Sequence, residues 1–72
     1  MNAKEFDKEM KKHGDNKSSL ARMMGYARIT LSRKINEWHG ASFTAMDLEF
    51  FRKRWKLSDE RFVEIFFGTN VS

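Results

Sequence analysis

The chain has no cysteine and no proline among its 72 residues, and its longest run of consecutive apolar residues is three, Ile65-Phe66-Phe67. Without cysteine there is no disulfide framework, no thiolate zinc site and no cysteine nucleophile. Without proline no rigid turn or kink can be placed, so helix boundaries must be read from caps and glycines. The short apolar runs leave no stretch able to span a membrane or to form the hydrophobic part of a signal peptide. These absences predict a soluble protein of a reducing cytoplasm. No repeat, low-complexity segment or linker interrupts the sequence, so residues 1–72 read as a single domain. Its length lets it hide only about 60% of the surface that the unfolded chain exposes.

What is present is apolar residues at 40%, aromatics at 14%, and a net charge of +4 from 14 basic and 10 acidic side chains. The total says less than the distribution. Between Asp15 and Glu37 there is no acidic residue, while Lys17, Arg22, Arg28, Arg33 and Lys34 contribute +5. The remainder therefore carries a net −1. A cationic window of this kind is the electrostatic footprint expected of a protein that meets a polyanion.

Hydrophobic periodicity predicts five helices and no strand, an all-α fold. The first runs from about Ala3 to His13, with Asn2 and Glu5 in capping-box positions, Phe6 and Met10 one turn apart, and Gly14 as its left-handed stop. The second, Lys17 to Met24, begins after Asp15-Asn16, turns Leu20 and Met24 inward, and ends at Gly25. The third, about Ala27 to Trp38, places Leu31, Ile35 and Trp38 at i, i+4 and i+7, and Gly40 stops it. Thr44 caps a fourth, with Asp47 in its first turn and Leu48, Phe51 and Trp55 at core spacing. Ser58 caps a fifth, Asp59 to about Phe67, closed by Gly68.

The stretch 17–36 has the layout of a helix-turn-helix: a helix of eight, a glycine, two residues, then a second helix. Such a unit needs two helices to cross steeply through a short turn. Ala21 is small where the helices approach, Gly25 supplies a positive φ, and Leu31 and Ile35 anchor the second helix so that its opposite face points outward.

Leu20-Ala21-x-x-x-Gly25 followed by Thr30-Leu31-Ser32-Arg33-Lys34-Ile35-Asn36 resembles the helix-turn-helix of phage Cro, repressor and Xre-type regulators. Phe43-Thr44-x-x-Asp47-Leu48 and Leu57-Ser58 are similar to the small phage-borne members, and the likeness spans about residues 4–67. The resemblance implies a compact five-helix lambda-repressor-like domain that regulates transcription in a bacterial host cell by binding double-stranded DNA as a homodimer. It makes Lys17–Met24 the supporting helix and about 27–38 the recognition helix in the major groove. Arg28 and Arg33 then read guanine edges, Ile29 packs on a thymine methyl group, and Ser32 lets the helix sit deep. Lys17, Ser18, Ser19, Lys34 and Asn36 contact phosphates, with backbone N–H groups at the helix start. One departure stands out: Ala27 occupies the position where the family places a capping Ser or Thr.

Other features have plainer readings. Met23, Met24, Trp38 and Trp55 read as core filler. Arg52, Lys53, Arg54 and Lys56 read as a solvated face, or as one beside the DNA backbone. His13 and His39 are isolated solvent-facing residues at helix ends, with no companion ligands for a metal. No motif organises a catalytic site, so the sequence predicts no enzyme, no metal and no cofactor. The last helix is apolar almost all round, and Phe66, Phe67 and Val71 are its candidates for a dimer or partner surface. A second functional expectation follows from that helix, from Ala27 and from the apolar Ile29: a phage antirepressor or modulator that binds a repressor protein through the same scaffold.

Overall fold

The computed structural model describes residues 1–68 and holds five α-helices: α1 Ala3–Lys12, α2 Lys17–Met24, α3 Arg28–Ile35, α4 Ala45–Arg54 and α5 Asp59–Phe66. A short 3₁₀ turn, Trp38–Gly40, follows α3, and no strand occurs among the described residues. The Cα radius of gyration is 11.3 Å, as a compact fold of this length gives. No helix of the described residues is long and apolar enough to cross a membrane.

Four of the five α-helices start where a short polar side chain accepts a hydrogen bond from the first turn. Asn2 Oδ1 accepts from the Glu5 amide at 3.1 Å. The reciprocal half expected of Glu5 is redirected: its carboxylate meets Arg61 and Lys8, and the Asn2 amide donates to the Ile65 carbonyl at 2.7 Å. The start of α1 is thereby tied to α5. Asn16 with Ser19, and Thr44 with Asp47, form complete capping boxes, and Ser58 accepts from the Arg61 amide at 3.1 Å. α3 is the exception, because Ala27 offers no side-chain bond.

Gly25 takes φ 79°, ψ 24°, and the next amide, on Tyr26, donates to the Ala21 carbonyl at 2.8 Å. Three residues therefore suffice to reverse the chain between α2 and α3, which pack on each other more extensively than any other pair of helices. The small buried Ala21 and the fully buried Leu20 and Leu31 make that approach possible.

The core gathers Phe6 and Met10 from α1, Leu20 and Ala21 from α2, Leu31 and Ile35 from α3, Phe51 with Trp55 and Leu57, and Ile65 and Phe66 from α5. Its centre is aromatic. Phe6 and Phe51 meet edge-to-face at 5.1 Å between centroids, with Trp55 and Phe66 closing around them. Aromatic bulk lets a short chain bury a large apolar area with few side chains.

Two residues expected in this core lie outside it. Met23 is 46% exposed and Trp38 is 49% exposed, whereas Met24 packs against the core and Trp55 lies in it. For Trp38 the cause is an earlier helix stop. Asn36 folds its side-chain amide back onto the Ser32 carbonyl at 3.0 Å, Glu37 turns left-handed at φ 52°, and the i+7 position never forms. Phe66 is a correction in the other direction: expected on a partner surface, it is only 6% exposed and packs against Phe6, Phe43 and Phe51. Phe67 is exposed as expected, and Val71 lies outside the described residues.

A Cβ at Gly25 would meet nothing within 4 Å, so a substitution there tests the backbone alone. Gly25→Ala is expected to lower stability by about 1–2 kcal/mol, the ordinary penalty for a side chain in the left-handed region. Chemical denaturation of the two proteins measures the difference.

Candidate nucleic-acid interface

Two aspartates hold the α2–α3 unit against α4, one at each end. Asp15, in the loop before α2, accepts two hydrogen bonds from the Arg54 guanidinium at 2.7 and 2.9 Å, and one from the Trp55 indole N–H at 2.8 Å. Asp47, in the first turn of α4, accepts from the Tyr26 hydroxyl at 2.7 Å, the Lys34 ammonium at 3.3 Å and the Thr44 amide at 2.9 Å. Tyr26 belongs to the turn and Lys34 to α3, so one carboxylate fixes both relative to α4. The Lys34 ammonium also donates to the Ser42 carbonyl at 3.1 Å and lies 4.9 Å from the Tyr26 ring centre.

These contacts set the charge states. For Asp47, burial alone would raise the carboxyl pKa, but the Thr44 amide, the Tyr26 hydroxyl and the Lys34 ammonium together outweigh it and hold the group below the usual aspartate value. The Arg54 hydrogen bonds lower Asp15 against the opposing effect of burial, with Trp55 adding to the lowering. The Asp47 hydrogen bond and burial raise the Tyr26 phenol. A third node joins α5 to α1: Arg61 bonds Glu5 and Glu9 at 2.8 Å each and also meets Glu64. Glu9, only 3% exposed, also accepts a hydrogen bond from the His13 ring Nε2 at 2.9 Å.

With the core and these nodes in place, α3 turns one face to solvent. Leu31 and Ile35 are buried, while Arg28, Ile29 and Arg33 are exposed and Ser32 is half-buried between them. Ile29, Ser32, Arg33 and Asn36, at i, i+3, i+4 and i+7, line a shallow groove that Trp38 closes at one end. The Arg33 guanidinium carbon lies 4.6 Å from the Trp38 ring centre. The structure thus brings Ile29, Ser32 and Arg33, three of the four side chains expected to read bases, into this groove, leaves Arg28 exposed at the start of the same helix outside it, and adds Trp38, which the helical spacing had placed in the core.

The expected phosphate contacts divide. At the start of α2 Ser18 is exposed and Lys17 is half-buried. Ser19 is committed to its capping box, its hydroxyl bonded to Asn16 at 3.1 Å and 3.4 Å. Asn36 spends one amide N–H on the end of α3. Lys34 requires a correction. Its side chain is only 15% exposed and its ammonium is occupied by Asp47 and the Ser42 carbonyl, so it positions α3 rather than reaching outward.

Ion pairing also changes the view of the second basic cluster. Arg52 meets Asp59, Lys53 meets Glu49 and Arg54 meets Asp15. Elsewhere Lys8, Lys11 and Lys12 pair with acids on α1. Among the described residues, the cations left without an acidic partner are mainly Lys17, Arg22, Arg28 and Arg33, all on α2 and α3; Lys4 and Lys56 are the others. Pairing concentrates the uncompensated positive charge further than the sequence alone indicates. The residues that sequence reasoning missed are the buried acids Glu9, Asp15 and Asp47.

Comparisons with protein-family models, with curated proteins and with solved structures found no match.

Two measurements probe the Asp47 node. Asp47→Ala leaves the Lys34 ammonium and the Tyr26 hydroxyl without their shared acceptor and is expected to cost about 2–4 kcal/mol in denaturation. The carboxyl is depressed in the folded state, so its contribution to stability is present above the ordinary aspartate value of 3.8 and is lost as the pH falls through the lower folded value. Acid titration of stability is therefore expected to show a loss below about pH 4 that is smaller in Asp47→Ala than in the wild type.

Proposed function

We propose that the protein is a sequence-specific DNA-binding regulator of transcription of the phage Cro/repressor type, with α2, the Gly25 turn and α3 acting as its helix-turn-helix. The observation that carries this reading is the coincidence on one unit of the unpaired cations and of an outward α3 face made of Arg28, Ile29, Ser32 and Arg33. Positive charge without acidic neighbours favours a polyanion, and its attraction falls with salt because releasing condensed counterions is then less favourable. Two arginines on an exposed helical face suit the acceptor pair of guanine, and an exposed Ile29 suits the thymine methyl group.

In this reading α3 enters the major groove, Arg28 and Arg33 contact base edges, and Lys17 and Ser18 meet the backbone from the start of α2. Lys34, held by Asp47, sets the angle at which α3 leaves the body of the protein. A single copy covers one half-site. Two copies related by a twofold axis would place their recognition helices about 34 Å apart on successive major grooves. Phe67, 65% exposed near the end of the described chain, is the residue placed to contribute to that pairing.

A second reading has its own observation. The groove on α3 is bounded by Ile29, 58% exposed, and Trp38, an apolar surface that also suits a repressor protein as partner. The two readings separate on binding to random-sequence DNA at low salt, which the first requires and the second does not.

The test begins with selection of preferred duplexes from a random library, followed by titration of the selected and of scrambled duplexes at two salt concentrations. Arg28→Ala is expected to weaken binding to the selected duplex by about 1–3 kcal/mol and to relax the preference at one base pair. Lys17→Ala is expected to weaken all duplexes alike and to flatten the salt dependence by about one unit of slope. Equal losses on selected and scrambled DNA for Arg28→Ala would remove it from base reading.

A further inference from the structure

Trp38 is half-exposed, lies outside the core cluster, and is held by an unusual backbone. Glu37 and His39 on either side of it both adopt φ 52°, a left-handed conformation that side-chain-bearing residues rarely take. The segment is nevertheless fastened. Glu37 pairs with the N-terminal ammonium of Met1, the Gly40 amide donates to the Glu37 carbonyl at 3.3 Å, and the Ala41 amide donates to the Trp38 carbonyl at 3.0 Å. The His39 ring lies against the indole, 3.8 Å between centroids. The outcome of this arrangement is an aromatic plate beside the Arg33 guanidinium, 4.6 Å away, at the end of the α3 groove.

We propose that Trp38 is a positioning residue for Arg33: by stacking on the guanidinium it holds the side chain extended along the groove before DNA arrives, and so sharpens discrimination at the base pair that Arg33 meets. This rests on the DNA-reading function proposed above. Arginine carries several rotatable bonds, and the ordering of each one on binding weakens the contact it makes. A flat aromatic face restrains that freedom while leaving the N–H groups in the guanidinium plane available for a bidentate contact. Arg28 has no such plate and no hydrogen-bond or ion-pair partner among the described residues, so the two arginines of α3 differ in how much order they lose on binding. The same indole, next to Ile29 and Ser32 in the groove, also narrows the space beside Arg33.

The stack is tested first in the free protein. Trp55 is only 2% exposed, so acrylamide quenching of fluorescence reports mainly on Trp38. Arg33→Ala is expected to increase that quenching; unchanged quenching overturns the proposal. The consequence is then read on the duplex preferred by the wild type and on a set differing from it by one base pair each. Arg33→Ala marks its base pair as the one where discrimination collapses. Trp38→Ala is expected to reduce discrimination at that same pair by about two- to fivefold, with the other positions unchanged. Trp38→Phe, which keeps an aromatic face, is expected to restore it, and adding Trp38→Ala to Arg33→Ala is expected to have no further effect. A uniform loss over all duplexes, no loss at any, or additive losses in the double variant would overturn the positioning role while leaving DNA binding intact. A wild-type protein that prefers no duplex would instead overturn the DNA-reading function, and this role with it.

Discussion

The carboxylate of Asp47 receives hydrogen bonds from three places that the chain keeps apart: the turn at Tyr26, the last turn of α3 at Lys34, and the start of its own helix at Thr44. Each donor alone would contribute modestly. Together they make burial of the charge tolerable, and in return the carboxylate fixes the angle between the α2–α3 unit and α4. Asp15 does the corresponding work at the other end, through Arg54 and Trp55. Apolar packing of Leu20, Leu31 and Ile35 brings the unit onto the body, but such contacts are non-directional. The two aspartates supply direction, and the face that α3 presents to solvent follows from it.

The same pairing shapes the electrostatics. Most acids outside the 16–36 window pair with cations outside it, and Asp47 pairs with Lys34 inside it. Most of what remains uncompensated lies on α2 and α3, beside an exposed isoleucine and an arginine stacked on tryptophan. The charges that hold the fold together and those left on the outward face are thus largely separate sets. The set that holds the fold is partly buried and little affected by salt, whereas the set on the outward face is exposed and screened within about 8–10 Å at ordinary ionic strength.

Features that depend on a residue and its near neighbours were legible in the sequence. The caps at Thr44 and Ser58, the stop at Gly25 and the inward positions Leu31 and Ile35 each rest on chemistry within one or two helical turns. Trp38 was misplaced because periodicity continues a helix that Asn36 in fact closes, its amide taking the Ser32 carbonyl. Phe66 was misplaced because α5 is apolar on most sides, so spacing alone does not say which face is inward; Ile65 and Phe66 both turned out to be. The buried acids were invisible for a different reason. Asp15 lies 39 residues from Arg54, and Glu9 lies 52 from Arg61, so no local pattern pairs them. Lys34 shows both effects: the sequence identifies a cation in a basic window, and only the fold reveals the aspartate that claims it.

In the proposed function, the outward face of α3, held by Asp47, is the surface that meets DNA. Chemical-shift mapping with a duplex selected from a random library tests it most directly. The largest shifts are expected on Arg28, Ile29, Ser32 and Arg33 and on the Trp38 indole, with smaller ones at Lys17 and Ser18 and, from the pairing of two copies, at Phe67. Shifts centred on Val63 and Phe67, with the α3 face unmoved, would contradict it.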